Sequence, residues 1–317
     1  MNNKSGLLQS SKVIAVLLMV GVICAAEPGC AAAGNESRAD TPATVARLSS
    51  SKVANGHVTV MEVDLRDEGS NKTGLKARFD QNEIALFQHP VKPDGVYCGL
   101  VGIPIGKTPQ KAAVALEWTD SAGRQQSTSV TLHIIEGKYK KEALKVAAKH
   151  VKPNPKDLQR IKTEKKKIRH IYASSNTSRL WYGNFIKPLT GNTTSVFGTQ
   201  RLFNGKLQSY HRGTDLRAKT GTPVYASNSG IVRLAKNLYY SGNIVIVDHG
   251  KGIFTNYAHL SKIQVQAGQH IARGDQIGLS GATGRVSGPH LHWGVKINGA
   301  YVDPLQFLTV IADILTR

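Results

Sequence analysis

The sequence predicts a mainly β protein, with an immunoglobulin-like β-sandwich in its N-terminal half, a helical linker and a second β-rich domain at its C-terminal end. Three observations support this class. Short apolar segments are separated throughout by Gly, Pro, Asn and Asp, and the chain contains 31 glycines. Helical signals stand out in only two places. A composition of 40% hydrophobic and 20% charged residues over 317 positions is that of a folded chain with one large or two medium domains.

The N-terminal segment, residues 1–26, is predicted to be an export signal. Lysines precede an apolar run, residues 13–26, that is too short and too weakly flanked for a confident membrane span. The small residues at the end of this run fit cleavage after Ala26. The mature chain would then be exported without a stable membrane span, and it would begin with a flexible linker, residues 27–45. An uncleaved anchor is the alternative.

Cysteine usage gives no support for thiol chemistry. The chain has three cysteines, and Cys24 lies inside the predicted signal. Cys30 and Cys98 could pair in an oxidising compartment, but Cys30 lies in the flexible linker, so their pairing stays open. No cysteine-based zinc site is supported. A metal ion would therefore have to be held by His, Asp or Glu.

Residues 46–137 are predicted to form the β-sandwich. The segment GHVTVMEVDL alternates between apolar and polar residues, NEIALFQ and VYCGLVGIPI are apolar runs, and DSAGR is a hairpin signal between two longer strands. Strands at this spacing are typical of a small immunoglobulin-like domain. Its histidines, His57, His89 and His133, are scattered along the segment, and we interpret them as surface or structural side chains.

Residues 138–175 are predicted to be a basic helical linker. Thirteen Lys and Arg against three acidic residues lie within residues 138–170, in a chain whose formal net charge is +20. A helix is expected to start after Asn154 and to run to about Ala173. Charge runs of this kind are usually solvated surface, and binding to an anionic wall polymer is the functional alternative. Nucleic acid is not an expected partner, because no nucleic-acid-binding module is recognisable.

Residues 176–317 are predicted to form the second domain. The segments TPVYAS, GIVRLAK, GNIVIVDHG, GIFTNYAHL and HLHWGVKING have dense β patterns, and DHGKG and NG are hairpin turn signals. Asp303 and Pro304 precede the apolar segment LQFLTVIADIL, which is expected to be a C-terminal helix.

The candidate site of this domain lies in the motifs HRGTDL, NYAHLS and GPHLHWG. Its residues are His211, Asp215, His259, His290 and His292. His290 and His292 are two positions apart on a predicted strand, so their side chains point to the same face. Two imidazoles and a carboxylate are the protein ligands that a catalytic zinc ion takes, with the fourth position left to water.

Together these motifs resemble the M23, or lysostaphin-like, zinc metallopeptidases, which cut the peptides of peptidoglycan. The resemblance covers most of the second domain and includes SVFGTQRLFNG, HRGTDLRAKTGTPVYAS and VQAGQHIARGDQIGLSGATGRVSGPHLHWGV. It implies a lysostaphin-like fold and one Zn²⁺ per chain, held by His211, Asp215 and His292. It also implies that His259 and His290 are catalytic and act on the water or on the developing oxyanion.

The function that this resemblance implies is that of an exported zinc metallo-endopeptidase acting on peptidoglycan cross-links. We favour a Gram-negative periplasm and D-alanyl to meso-diaminopimelate bonds, because no sorting signal or wall-binding repeat is recognisable. One alternative is an enzyme that cuts glycine-containing bridges. Another is a non-catalytic regulator of other wall hydrolases, against which the complete set of motif residues argues. The oligomeric state stays unknown.

Three further polar residues of this half are interpreted without a catalytic role. Asp248 and His249 lie at a hairpin end, where the carboxylate could orient a neighbouring group, and His270 follows a turn and is expected to be exposed. The glycines of VQAGQHIARGDQIG are similar to those of lipoyl-type carrier domains. A carrier domain needs a modifiable lysine at a hairpin tip, and this segment has none.

Overall fold

The computed structural model describes residues 45–66, 73–144, 153–203 and 206–316, and it confirms the mainly β class. The described residues belong to one compact unit, which spans Ala43–Arg317. The predicted signal peptide and almost all of the predicted flexible linker lie outside the described residues. Neither helix in the described part of the chain has the length and apolar character needed to cross a membrane.

The first ten strands come before the first helix. They are β1 (Ala46–Leu48), β2 (Lys52–Ala54), β3 (Val58–Asp64), β4 (Thr73–Phe79), β5 (Asn82–Ile84), β6 (Phe87–Gln88), β7 (Val96–Gly102), β8 (Gln110–Thr119), β9 (Gln125–Ile135) and β10 (Lys141–Leu144). A four-stranded sheet has the order β1-β3-β7-β6, and a five-stranded sheet has the order β2-β9-β8-β4-β5. Buried side chains of both sheets, among them Met61 and Leu116, meet in one apolar core.

The hairpin predicted at DSAGR is present between β8 and β9. Asp120 lies at its start, and its carboxylate accepts hydrogen bonds of 2.9 Å from the backbone amides of Ala122 and Arg124. An aspartate that accepts from amides further along the chain is a common way to close such a turn. The turn therefore fixes the register of the two longest strands of the first half, from Gln110 opposite Ile134 to Thr119 opposite Gln125.

The remaining elements follow residue 153. They are α1 (Pro155–Ala173), β11 (Thr193–Ser195), β12 (Gln200–Phe203), β13 (Lys206–Tyr210), β14 (Thr214–Arg217), β15 (Pro223–Tyr225), β16 (Gly230–Leu238), β17 (Gly242–Gly250), β18 (Ile253–Leu260), β19 (Lys262–Ile263), β20 (His270–Ile271), β21 (Gln276–Leu279), β22 (His290–Ile297), β23 (Ala300–Val302) and α2 (Pro304–Ile314). The main sheet has eight strands, in the order β11-β14-β22-β18-β17-β16-β20, with β23 paired to β22. Two further sheets have three strands each, in the orders β10-β12-β13 and β15-β21-β19.

The helix α1 begins where the sequence predicts. Asn154 is its N-cap, and the Asn154 side chain accepts a hydrogen bond of 2.8 Å from the amide of Asp157. Most of its basic side chains are exposed, but Ile161 and Ile171 are buried. Ile171 belongs to a small apolar cluster with residues of β16, β17 and β18. The helix is therefore anchored on one face of the main sheet and is not solvated on all sides.

The predicted C-terminal helix is also present, as α2, with Asp303 as its N-cap. The Gln306 side chain accepts a hydrogen bond from the amide of Val58 at 3.0 Å and donates one to its carbonyl oxygen at 2.9 Å. Val58 and Leu100 share an apolar core with Trp293 and other residues of the main sheet. The four-stranded sheet of the first half and the main sheet thus have buried side chains in common. The division at residues 137 and 176 stays a prediction.

Cys98 lies in this shared core with no exposed surface, and it has no disulfide partner among the described residues. Burial raises the pKa of its thiol to about 12, so the thiolate form is suppressed. Cys30 lies outside the described residues.

Candidate metal centre

Three neighbouring strands of the main sheet bring the five predicted site residues together. Asp215 lies on β14 directly opposite His292 on β22, and His292 lies opposite Ala258 on β18, next to His259. His290 is on the same face of β22 as His292. His211 begins the connection from β13 to β14. The imidazole centroids of His259 and His290 are 5.0 Å apart, and so are those of His211 and His292.

The inner atoms of His211, Asp215 and His292 form a tight triangle. His211 Nε2 lies 3.0 Å from Asp215 Oδ1 and 3.0 Å from His292 Nδ1, and the distance from His292 Nδ1 to Asp215 Oδ1 is 2.9 Å. Ligands at about 2.0–2.2 Å from a tetrahedral zinc ion are about 3.3–3.6 Å from each other. The triangle is within a few tenths of an ångström of that spacing, so its size fits one small cation.

The hydrogen bonding of His211 also favours a cation in the triangle. Its Nδ1 donates to the carbonyl oxygen of Val196 at 2.9 Å, because a carbonyl oxygen can only accept. In the neutral ring, Nε2 then has a lone pair, which faces the carboxylate of Asp215. Two lone pairs repel at this distance unless a positive charge lies between them. A metal ion would satisfy all three inner atoms at once, whereas one proton satisfies only two.

The electrostatics of the triangle agree with this arrangement. Burial raises the pKa of Asp215, but the close contacts of its carboxylate with the imidazoles of His211 and His292 outweigh burial and hold that pKa well below its usual range. Burial lowers the pKa of His292. Asp215 is thus an anion and His292 is biased toward the neutral form, which is the form that can bind a metal through a ring nitrogen.

His259 stands next to the triangle in an uncommon backbone conformation. Its φ angle is 65°, in the left-handed region that side chains other than glycine rarely adopt. Its Nδ1 donates to the carbonyl oxygen of Thr283 at 2.9 Å. Burial lowers the pKa of His259 to about 4, so its ring is neutral at pH 7. The free Nε2 of the neutral ring can accept a proton or a hydrogen bond.

His290 lies beside the triangle, two residues before His292 on the same face of β22. Its Nδ1 donates to the carbonyl oxygen of Gly288 at 2.8 Å, and its Nε2 lies 3.8 Å from Asp215 Oδ1. The prediction that alternate residues of β22 share a face is confirmed. The two imidazoles of HLH therefore point into one site, with His292 in the triangle and His290 beside it.

The space around Gly213, between His211 and Asp215, is too small for a side chain. A Cβ atom at this position would lie 2.7 Å from ring atoms of His292 and 2.5 Å from the backbone oxygen of Trp293. Distances this short do not occur for real Cβ atoms, so any side chain would displace β22 or the His292 ring. The glycine of HRGTDL thus allows the close approach on which the triangle depends.

Several polar groups near the site were not found from the sequence. The carbonyl groups of Val196, Thr283 and Gly288 orient three of the imidazoles, and nothing in a sequence marks a carbonyl group for this role. Lys296 is different. It lies four residues after His292, an even number, so continuing the alternation along HLHWGVKI would have placed it on the same face.

The residues that were interpreted as non-catalytic have structural contacts. Asp248 is fully buried, and its carboxylate accepts hydrogen bonds from the Ser175 hydroxyl and the Asn176 amide, both at 2.8 Å. Asp248 therefore fixes the segment that follows α1. His249 is also fully buried and donates from Nδ1 to the carbonyl oxygen of Ser229 at 2.7 Å. His270 is exposed, as predicted.

Comparisons with known proteins place similarity on the same part of the chain. Residues 209–304 match the model of peptidase family M23. Peptidoglycan DD-endopeptidase ShyA of Vibrio cholerae is 49% identical over 96 residues, which cover 30% of this chain and 22% of that relative. DD-carboxypeptidase/endopeptidase Mpg of Neisseria meningitidis is 43% identical over 96 residues, with the same two coverages of 30% and 22%.

One solved structure is similar over a larger share of the chain. A Pseudomonas aeruginosa protein assigned to peptidase family M23 superposes with a TM-score of 0.61 at 29% identity, covering 81% of this chain and 95% of that one. By contrast, the chain spans less than a quarter of the length of the two relatives named above. The sequence similarity to those two relatives therefore covers less than a third of this chain.

Proposed function

Residues 209–304 are a peptidase family M23 domain, and from this premise we propose that the chain is an exported zinc metallo-endopeptidase that hydrolyses peptide cross-links of peptidoglycan. The observation that carries the proposal is the triangle of His211, Asp215 and His292, whose three inner atoms lie within 4.8 Å of one another. Two further imidazoles stand beside it. This set offers ligands and proton carriers in one place, and it contains no serine or cysteine nucleophile.

In the proposed mechanism, His211, Asp215 and His292 hold the metal ion. A bound zinc ion supplies Lewis acidity, which polarises the scissile carbonyl group and makes water more acidic. The protein's own contribution is to keep the three ligands in place through the Val196 carbonyl group and the close approach at Gly213. Because Asp215 stays ionised, the ligand set keeps its negative charge over the whole physiological pH range.

His259 and His290 are the proposed catalytic residues. Nε2 of His259 is unprotonated at pH 7 and is placed to take a proton from the attacking water, which the ring can later give to the leaving amine. An imidazole donates from both ring nitrogens only when it is protonated, and in that form Nε2 of His290 is placed to donate a hydrogen bond to the oxygen that becomes negative when the carbonyl group is attacked. Their fixed Nδ1 hydrogen bonds keep both rings turned toward the reacting atoms.

The relatives support the choice of substrate, since ShyA is named a peptidoglycan DD-endopeptidase. We propose D-alanyl to meso-diaminopimelate bonds in a periplasm as the setting, with residues 1–26 as the export signal. We also propose that residues 46–137 form an immunoglobulin-like domain, and that the basic segment 138–175 attracts the enzyme to the anionic wall. Cutting of glycine bridges and non-catalytic regulation of other hydrolases remain the competing functions.

Digestion of purified sacculi tests this proposal. The full chain is incubated with sacculi that contain direct D-alanyl cross-links, the product is then digested with a muramidase, and the muropeptides are identified by mass spectrometry. We expect monomeric muropeptides to increase as cross-linked dimers disappear, and a chelator to stop the reaction. Release of glycan fragments with intact cross-links would contradict an endopeptidase. Absence of any release, combined with stimulation of an added amidase, would favour the regulator.

A further inference from the structure

Three hydrogen bonds tie residues 196–199, directly before β12, to His211. The amide of Gly198 donates to the carbonyl oxygen of His211 at 2.8 Å, and the amide of His211 donates to the carbonyl oxygen of Thr199 at 2.9 Å. The carbonyl oxygen of Val196 accepts from Nδ1 of the His211 ring. This segment therefore fixes both the backbone of His211 and the direction in which its Nε2 points.

Tyr139, between β9 and β10, packs on the middle of that segment. Its ring centroid is 6.1 Å from that of Phe197, with an angle of 71° between the rings, and Phe197 is 2% exposed. Gly56 and Gly198 lie against Tyr139, because a Cβ atom at either position would collide with the Tyr139 side chain. The tyrosine thus fills the space between residues 196–199 and the turn that joins β2 to β3.

The hydroxyl group of Tyr139 binds the same turn of the first half. It donates a hydrogen bond to the backbone carbonyl oxygen of Asn55, a residue that is 1% exposed. The Asn55 side chain accepts from the amide of Gly137 at 3.0 Å and donates to the carbonyl oxygen of Lys107 at 2.9 Å. Burial raises the pKa of Tyr139 above its usual range, so the hydroxyl group stays protonated and can donate. One side chain thus connects a buried turn of the first half to residues 196–199.

The neighbours of Tyr139 show that this contact belongs to one side chain. Lys138 and Lys140 are exposed, whereas Tyr139 is half-buried. The carbonyl oxygen of Lys140 accepts from the amide of Gln200 at 2.8 Å, and the parallel pairing of β10 with β12 continues from there. Because β12 lies between β10 and β13 in their sheet, the segment before it has the Tyr139 region on one side and His211 on the other.

We propose that Tyr139 is a positioning residue for the candidate metal centre. It holds residues 196–199 in place, these residues hold His211, and Nε2 of His211 is thereby directed to Asp215 before a metal ion arrives. A ligand that is already oriented binds a metal ion more tightly than one that must first be ordered. The inference rests on the proposed function and deepens it, because it gives the first half of the chain a part in metal binding.

The test measures the dissociation constant for zinc in full-length variants, by competition with a chromogenic chelator at pH 7, with folding checked by circular dichroism. Tyr139→Ala removes the ring and should weaken zinc binding by about tenfold or more, the lower end of the usual effect of losing a group that orients a metal ligand. Tyr139→Phe keeps the ring against Phe197 and should stay within about threefold of the unmodified protein. Unchanged zinc binding in a folded Tyr139→Ala would overturn the proposal.

Val114→Ala is the control for a general loss of stability. Val114 has no exposed surface and belongs to the apolar core of the first half, whose described members all lie within residues 45–134. This variant should unfold more easily than the unmodified protein but keep its zinc affinity within about threefold. Equal weakening in Val114→Ala and Tyr139→Ala would mean that zinc binding follows overall stability, and it would overturn the positioning role.

Tyr139→Leu keeps the proposal testable if Tyr139→Ala does not fold. Leucine retains apolar volume beside Phe197 but lacks both the flat ring and the hydrogen bond to Asn55. Zinc binding should therefore be weaker in Tyr139→Leu than in Tyr139→Phe. Equal zinc affinity in Tyr139→Leu and the unmodified protein would then overturn the proposal.

Hydrogen–deuterium exchange of the metal-free chains keeps the inference separate from the proposed function. The amides of Gly198 and His211 are both hydrogen-bonded, and they should exchange about tenfold faster or more in Tyr139→Ala or Tyr139→Leu, with those of β17 unchanged. If the unmodified protein binds no zinc, the proposed metal centre is wrong, but this exchange still shows whether Tyr139 fixes His211. Equal protection of the two amides in the variants and the unmodified protein would overturn the inference.

Discussion

Single backbone carbonyl groups determine which nitrogen of each imidazole faces the site. Val196, Thr283 and Gly288 each accept from an Nδ1 atom, of His211, His259 and His290 in turn. The outward position of the proton leaves Nε2 of each ring directed toward the candidate metal centre. His292 has the opposite orientation, with Nδ1 in the triangle. Four side chains of one type thus have fixed orientations that are not all the same.

This difference predicts separate effects for the two histidines of HLH. His292→Ala removes one of three proposed ligands, so both zinc content and hydrolysis should fall. His290→Ala should keep zinc but reduce hydrolysis by about 10²-fold or more, the usual effect of losing a general acid/base or an oxyanion donor. His259→Ala should behave like His290→Ala. The measurement is zinc content beside muropeptide release for the three purified variants, with folding checked by circular dichroism.

Two results would contradict this division of roles. Equal loss of zinc in all three variants would mean that the proposed ligands and the proposed catalytic residues are not distinct. Full activity of His290→Ala would mean that the second imidazole has no part in the reaction.

The burial of His249 predicts that the free energy of unfolding depends on pH for a reason unrelated to the metal. Burial lowers the pKa of His249 from 6.5 to about 4. Between these values the unfolded chain binds a proton that the folded chain does not, so the free energy of unfolding falls as pH falls from about 6.5 to about 4. The loss amounts to about 3 kcal/mol at most. Urea unfolding at several pH values measures it.

The matched variants for this prediction are His249→Gln and His270→Gln. The first should reduce the slope between about pH 6.5 and 4, whatever its effect on stability at pH 7, and a smaller slope should stay because burial also lowers the pKa of His259. The second replaces an exposed histidine and should leave the curve of the unmodified protein unchanged. Curves of the same slope for the unmodified protein and His249→Gln would show that His249 does not control this window.

Among the secondary-structure elements, the sequence predicted those whose ends are fixed by contacts between neighbouring residues. The hairpin at Asp120, the start of α1 at Asn154 and the start of α2 at Asp303 depend on a side chain bonding to nearby backbone, and such contacts are visible in a short stretch of sequence. The order β14-β22-β18 depends on pairing between residues far apart. The sequence predicted the candidate site residues through a family resemblance, but it did not predict which of them lie opposite each other in the sheet.

The packing of α1 on the main sheet was not predicted, because only a few apolar residues lie among its mostly charged ones. Ile171 is 7% exposed and packs with residues of the main sheet, whereas Leu158 on the same helix is 43% exposed. Ile171→Ala should lower the free energy of unfolding by about 2–4 kcal/mol, and Leu158→Ala should change it by less than about 0.5 kcal/mol. Chemical denaturation of both variants checks this. Similar values for the two would mean that α1 does not pack on the sheet.

At the scale of the whole molecule, the two halves of the described chain meet through buried apolar side chains. Val58, Val60 and Leu100 of the first half contact the core of the main sheet, and Asn298 donates to the Leu100 carbonyl oxygen at 2.8 Å. Alternation of apolar residues shows that a strand has a buried face but not what covers it. The sequence therefore predicted the strands of both halves without their shared core.

We propose that His211, Asp215 and His292 form a zinc centre on which hydrolysis of peptidoglycan cross-links depends. The most direct test is zinc per chain, by elemental analysis, measured together with muropeptide release for the full chain and for Asp215→Ala. We predict one zinc ion per chain and release of monomers for the unmodified protein, and loss of both in a folded Asp215→Ala. Stoichiometric zinc or undiminished hydrolysis in Asp215→Ala would contradict the claim.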